Sequence, residues 1–181
     1  SILERWDGQG GEFIFPIVNG PPGTGKTRVG VLAAAKYVLE NKKGQVAYLC
    51  YTNYAAEKAR EDLFALGFNS ESVVRLSSNP RERDWRNGVI GCDSSLSDLT
   101  EDNKRRLRDT PILISTLDSS GRIFNRHKRP KIVIDEFSQV SRDHYFSTLS
   151  KVRRTTEYNP SGYALLGDPN QLPVMTSQPL L

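Results

Sequence analysis

The residues best equipped for chemistry begin with "GPPGTGKT", Gly20 to Thr27. The run fills the pattern G-x-x-x-x-G-K-T and stands between an apolar stretch, "FIFPIV", and a helical pattern, which is the context that gives it a mechanism. Its glycines let the backbone curl so that successive N–H groups converge on phosphate oxygens, and the start of the following helix adds partial positive charge. Lys26 would then reach the β- and γ-phosphates as a point charge, with the Thr27 hydroxyl placed for Mg²⁺. The expected contacts to a nucleoside triphosphate run through Gly20, Pro21, Pro22, Gly23, Thr24, Gly25, Lys26, Thr27 and Arg28.

Two other apolar runs end in reactive groups. "IVIDEFSQV" carries Asp135 and Glu136 at its end. In a parallel sheet that carboxyl edge lies in the same crevice as the phosphate loop. Asp135 would hold Mg²⁺ through water, and Glu136 would orient and deprotonate the attacking water. A dipole-stabilised acid pair at a helix start is the bland alternative. "YALLGDPNQLPV" ends at the same edge and would bring Gln171 close to the γ-phosphate. An amide there can donate to phosphate and accept from water. A simple turn capped by Asp168 would use the same residues without a ligand.

These groups need a scaffold, and the apolar pattern supplies one. Strands are expected at 13–18, 46–50, 112–116, 132–136 and 163–168, none of them alternating with polar residues. Helices are expected after the glycine loop, ending near Gly44, and over "YAAEKAREDLFALG", stopped by Gly67. Strands apolar on both faces and separated by helices imply a three-layer α/β domain with a mostly parallel sheet. Residues 77–111 break the rhythm. They read as a polar insertion with a short helix over about 100–108, in a composition compatible with partial disorder.

Composition narrows the partners. The 181 residues suit one domain, and 25 Lys and Arg against 21 Asp and Glu give a net charge of +4. That balance is compatible with a polyanionic partner without being histone-like. Cys50 and Cys92 have no disulfide or zinc spacing, and His127 and His144 read as surface residues. No apolar run approaches the roughly 20 residues of a membrane span and no signal peptide opens the chain, so no membrane partner is expected. The expected location is intracellular: cytoplasmic, or nuclear in a eukaryote. Ser1 at the start suggests a piece excised from a longer protein.

Taken in order, "GPPGTGKT", "DEFSQ" and "GDPNQLPV" resemble motifs I, II and III of superfamily 1 DNA and RNA helicases, over residues 13 to 175. The resemblance implies the first RecA-like motor domain of such an enzyme, a P-loop ATP hydrolase. With ATP and Mg²⁺ as cofactors, it would couple hydrolysis to movement along single-stranded DNA or RNA. "QLP" resembles the 5′→3′ branch and Phe137 leans toward the opposite one, which leaves polarity open. By the same resemblance Gln171 couples the nucleotide to the bound strand, joined by Gln139. "YTNYAAEKA" resembles motif Ia, which gives Thr52 and Asn53 a strand phosphate, although a plain helix cap fits these residue types too. "ISTLDSS" looks like the second strand-contacting motif, through Ser115 and Thr116. "RERDWR", with Trp85, suits base stacking or a solvated loop, and "NRHKRPK" suits a solvated turn. Gln9 is the candidate reader of the adenine base. A second RecA-like domain of the parent chain would supply arginines, so the isolated chain should turn ATP over barely. Two other readings stay open, a hexameric remodelling ATPase acting on protein and a non-catalytic nucleotide-dependent interaction module.

Overall fold

Successive residues of "VAYLC" point to opposite faces of a sheet, and here both faces are core. Val46, Tyr48 and Cys50 join one apolar cluster, while Ala47 and Leu49 join another. That is the signature of a parallel sheet covered on both sides. The computed structural model describes residues 17–77, 87–91, 100–120, 130–141, 143, 147 and 162–168. In chain order they form β1 (Ile17–Asn19), α1 (Lys26–Glu40), β2 (Val46–Cys50), α2 (Asn53–Ala65), β3 (Val73–Ser77), β4 (Val89–Gly91), α3 (Glu101–Asp109), β5 (Ile112–Thr116), β6 (Lys131–Ile134) and β7 (Gly162–Gly167), with one 3₁₀ turn, Phe137–Gln139, after β6. The seven strands lie in the order β1-β7-β6-β2-β5-β3-β4, and every pairing is parallel. The three-layer α/β expectation holds.

α1 and α2 cover one face through small residues at helical spacing, Gly30, Ala34 and Ala35 on α1 and Ala55, Ala56 and Ala59 on α2. Leu107 of α3 and the side chains of Phe137 and Val140 pack on the other. β2 and β5 match the expected limits. β6 ends at Ile134, so Asp135 and Glu136 belong to the turn beyond the strand, and α1 ends at Glu40, ahead of Gly44.

Two strands were not expected. "VVRLS" carries Arg75 in its middle, which breaks the apolar run in sequence. In the fold that guanidinium is buried because Glu57 on α2 neutralises it, Nη1 to Oε2 at 3.1 Å. β4 is three residues long and lies inside the polar stretch 77–111, where it extends the sheet as its edge. The helix expected within that stretch forms as α3, capped by Thr100. Residues 13–16, Gln9, "RERDWR" with Trp85, Cys92, the 125–129 part of "NRHKRPK", His127, His144 and Gln171 lie outside the described residues.

Gly30 shows how tightly α1 sits on the sheet. A Cβ there would come 2.3 Å from Leu166 Cδ1 and 2.9 Å from the Tyr48 hydroxyl. Helix propensity favours alanine by roughly 0.5–1 kcal/mol, whereas overpacking a close-packed core costs about 1–3 kcal/mol. Overpacking should win, because both neighbouring side chains are themselves buried. Gly30→Ala is expected to lower the denaturant midpoint at unchanged slope; a raised midpoint would mean that α1 can lift off the sheet at little cost.

Candidate nucleotide site

The phosphate loop leaves β1 and enters α1 through Gly25, whose φ of 82° lies in the left-handed region open to glycine. Gly25 gives α1 no side-chain cap. α2 and α3 differ, since Thr52 Oγ1 accepts from the Ala55 N–H at 3.1 Å and Thr100 Oγ1 from the Asn103 N–H at 3.3 Å. Of the three described α-helices, the one that follows the glycine loop is the one whose first N–H groups meet no capping side chain, the arrangement an anion uses. Lys26 Nζ folds back to donate to the carbonyls of Gly20 and, at 2.7 Å, Pro21. Thr24 Oγ1 donates to the same Pro21 oxygen at 2.7 Å. A triphosphate would draw the ammonium off these neutral acceptors, because a charged acceptor holds it about twice as strongly.

Asp135 and Glu136 stand two strands away, just past the end of β6. Asp135 is 2% exposed. The Glu136 N–H donates to its Oδ1 at 2.9 Å and the Tyr48 hydroxyl to its Oδ2 at 3.0 Å. Burial, and then the Asp135 charge, hold the Tyr48 phenol well above its ordinary range, which keeps it a donor. Tyr48 was not among the residues expected from sequence. A lone aromatic in an apolar strand reads as core packing, and only the fold reveals what its hydroxyl reaches.

Glu136 adopts φ 55° and ψ 34°, a left-handed conformation that costs a side-chain-bearing residue about 1–3 kcal/mol. Its Oε2 is buried and has no hydrogen-bond partner among the described residues. Burial raises its pKa first, the Asp135 charge adds to this, and Lys26 pulls the other way. Strain, an unsatisfied buried oxygen and a perturbed carboxyl beside a lysine form the pattern of a functional group more than of a structural one.

β7 runs between β1 and β6 and joins the two halves of the site. The Gly20 N–H donates to the Gly167 carbonyl at 3.3 Å, and the Asp168 N–H donates to Ser138 Oγ at 3.2 Å. A Cβ on Gly167 would lie 3.0 Å from the Ser138 nitrogen. The three motifs thus meet around one glycine. The Gln139 N–H donates to the Glu136 carbonyl at 2.9 Å, within the turn that carries Ser138.

Of the residues expected to meet a nucleic acid, Thr52 and Thr116 share the carboxyl edge, since Cys50 and Thr116 are register partners. Asn53 supplies its carbonyl and its Oδ1 to Arg75 Nη2, each at 3.4 Å. Ser115 is buried and its hydroxyl donates to the Thr116 carbonyl at 2.9 Å, while the Thr116 hydroxyl donates to Ser119 Oγ at 3.3 Å. Asn53 and Thr52 thus stand at the start of α2, and Ser115 points into the core.

The donor set fits Mg²⁺. Among the described residues no three His, Cys, Asp or Glu side chains cluster to hold a metal by themselves. Mg²⁺ characteristically takes one or two protein oxygens and completes its shell with phosphates and water, and the Asp135 carboxylate and Thr27 hydroxyl can provide them. No described helix is long and apolar enough to cross a membrane.

No curated protein sequence matches the chain significantly. Solved structures do. The UvsW helicase of bacteriophage T4 is 18% identical with a TM-score of 0.52, over 84% of this chain and 46% of that one. The arterivirus nonstructural protein 10 helicase in complex with DNA is 18% identical with a TM-score of 0.52, over 91% and 32%. A nuclease-deletion mutant of the Type ISP restriction-modification enzyme LlaGI, in complex with a DNA substrate mimic, is 16% identical with a TM-score of 0.61, over 86% and 15%. The chain therefore spans less than half the length of the solved chains it matches, and at these identities the likeness is one of fold. A family model described as an AAA domain matches residues 14–177. With its phosphate loop and parallel sheet, the chain belongs to that AAA domain family and has the RecA-like fold of helicase motor domains.

Proposed function

We propose that this chain is an ATP-binding motor domain that couples hydrolysis to movement along single-stranded DNA or RNA. The observation that carries the reading is Glu136, a residue with a left-handed backbone and an unsatisfied buried carboxyl oxygen, next to Asp135 and within the electrostatic reach of Lys26. The backbone of Gly20 to Thr27 cradles the phosphates, with Arg28 in the same first turn. Lys26 offsets the charge that develops on the γ-phosphoryl group, and Glu136 takes the proton of the attacking water. Thr27 and Asp135 would hold a Mg²⁺ together with the phosphates, and the ion would supply neutralisation of the charge on the reacting phosphate. Loss of the γ-phosphate would relax the loop, and the Gly20–Gly167 and Ser138–Asp168 hydrogen bonds would carry that change to Asp168, three residues before Gln171 in sequence.

The track side of the reading rests on Thr52, Asn53 and Thr116 at the carboxyl edge, and on two matched proteins that are bound to DNA or a DNA mimic in their structures. The 5′→3′ polarity rests on "QLP" alone. A second RecA-like domain would supply arginines worth about 10³–10⁵ in rate, so this chain alone should hydrolyse ATP slowly. A protein-remodelling ATPase would use the loop and acid pair equally well, but it gives no role to the joint around Gly167.

Turnover by the protein in its native full-length form should rise with single-stranded DNA or RNA and stay flat with a protein substrate. A rate indifferent to both polymers would remove the nucleic-acid half of the reading. Glu136 holds its proton more tightly in the fold than in the unfolded chain, since its pKa is raised from 4.5. Its contribution to stability is thus complete below the unfolded value and is lost as pH rises through the folded one. Glu136→Gln, which cannot ionise, should raise the thermal midpoint near neutral pH, with the gain vanishing below about pH 4. It should also cut turnover by about 10²–10⁴. A variant with wild-type turnover would dismiss Glu136 as the base, and one with no neutral-pH gain would dismiss the buried-charge account.

A further inference from the structure

Tyr48 is wholly buried in the middle of β2, where a phenol costs stability unless its hydroxyl is bonded. Tyr48 is the register partner of Val133 on β6. Side chains alternate along a strand, so Asp135, two residues on, shares the face of Val133 and Tyr48. α1 covers that face. The tyrosine ring runs between strand and helix, and its hydroxyl ends 3.0 Å from Asp135 Oδ2 and 3.3 Å from the Thr27 carbonyl. With one proton to give, it serves the nearer, charged acceptor. Gly30 makes the reach possible, since a Cβ there would stand 2.9 Å from the hydroxyl.

Asp135 therefore receives one donor on each oxygen, the Glu136 N–H on Oδ1 and Tyr48 on Oδ2. Two donors fix the carboxylate plane, and each oxygen keeps further acceptor capacity. Phenylalanine would fill the same volume, so the hydroxyl contributes only those contacts. We propose that Tyr48 is a positioning residue of the nucleotide site, holding the Asp135 carboxylate in register with the Thr27 end of the phosphate loop so that both can receive the Mg²⁺ of a bound nucleotide. The inference rests on the nucleotide-binding reading given above and adds to it a residue that touches neither nucleotide nor metal. Groups that orient a metal-site ligand in this way are typically worth about 10- to 100-fold in metal affinity.

The test is calorimetric titration of the chain with ADP, with and without Mg²⁺, for wild type, Tyr48→Phe, Asp135→Asn and the double variant. Tyr48→Phe should keep the Mg²⁺-free affinity and lose about 10- to 100-fold of the gain that Mg²⁺ confers. On the Asp135→Asn background the same change should cost little, because both act through one carboxylate. An unchanged Mg²⁺ gain in Tyr48→Phe would overturn the proposal, as would equal losses with and without the metal, the mark of a packing role. Wild type that binds no ADP under either condition would overturn the nucleotide reading itself, a different failure. A readout independent of Tyr48→Phe folding is the NMR signal of the Tyr48 ring in Asp135→Asn. It should shift when the acceptor loses its charge, and a fixed signal would sink the idea.

Discussion

A carboxylate that is taken almost wholly out of water loses its hydration and needs hydrogen-bond donors on its oxygens. Asp135 sets that condition, and much of the surrounding structure answers it. The Glu136 N–H reaches Oδ1 across the left-handed turn that Glu136 adopts. Tyr48 crosses from β2 to reach Oδ2, and α1 gives up a side chain at Gly30 to let it pass. The strain at Glu136 and the weak helix former at position 30 are separate local defects by propensity. Around one buried acid they become a single solution.

The second organising point is Gly167. Its carbonyl takes the first N–H of the phosphate loop, and its bare Cα lets the Ser138 backbone approach. Each contact is worth on the order of 1 kcal/mol, too little to hold a fold. They matter because they join three loops that leave three different strands at one edge. A shift in any one loop must alter a hydrogen bond to another, which is what a nucleotide-driven device requires of its joints.

A different buried charge secures the far side of the sheet. Glu57 on α2 is shared between Arg75 of β3 and Arg60, which in turn reaches the Asn87 carbonyl at 2.7 Å. The pairing fixes the start of α2, with Thr52 and Asn53, against β3. Arg75 is the buried member, Glu57 is a third exposed, and Asn53 gives the same guanidinium two further acceptors.

The sequence by itself determined the sheet class and the two small-residue helices, and it supplied the candidates for the phosphate loop and acid pair. Continuous apolar strands and the spacing of glycines, lysine and threonine are local properties, legible without a fold. β3 escaped that reading because Arg75, neutralised by Glu57 of the preceding helix, breaks its apolar run, and β4 because its three residues sit inside a polar stretch. Tyr48 escaped it for a related reason. Its ring carries the apolar signal of the core, and the destination of its hydroxyl depends on Asp135, 87 residues away along the chain. Only the tertiary structure decides which buried polar atoms meet, because strand order, and not sequence distance, sets which side chains share a face.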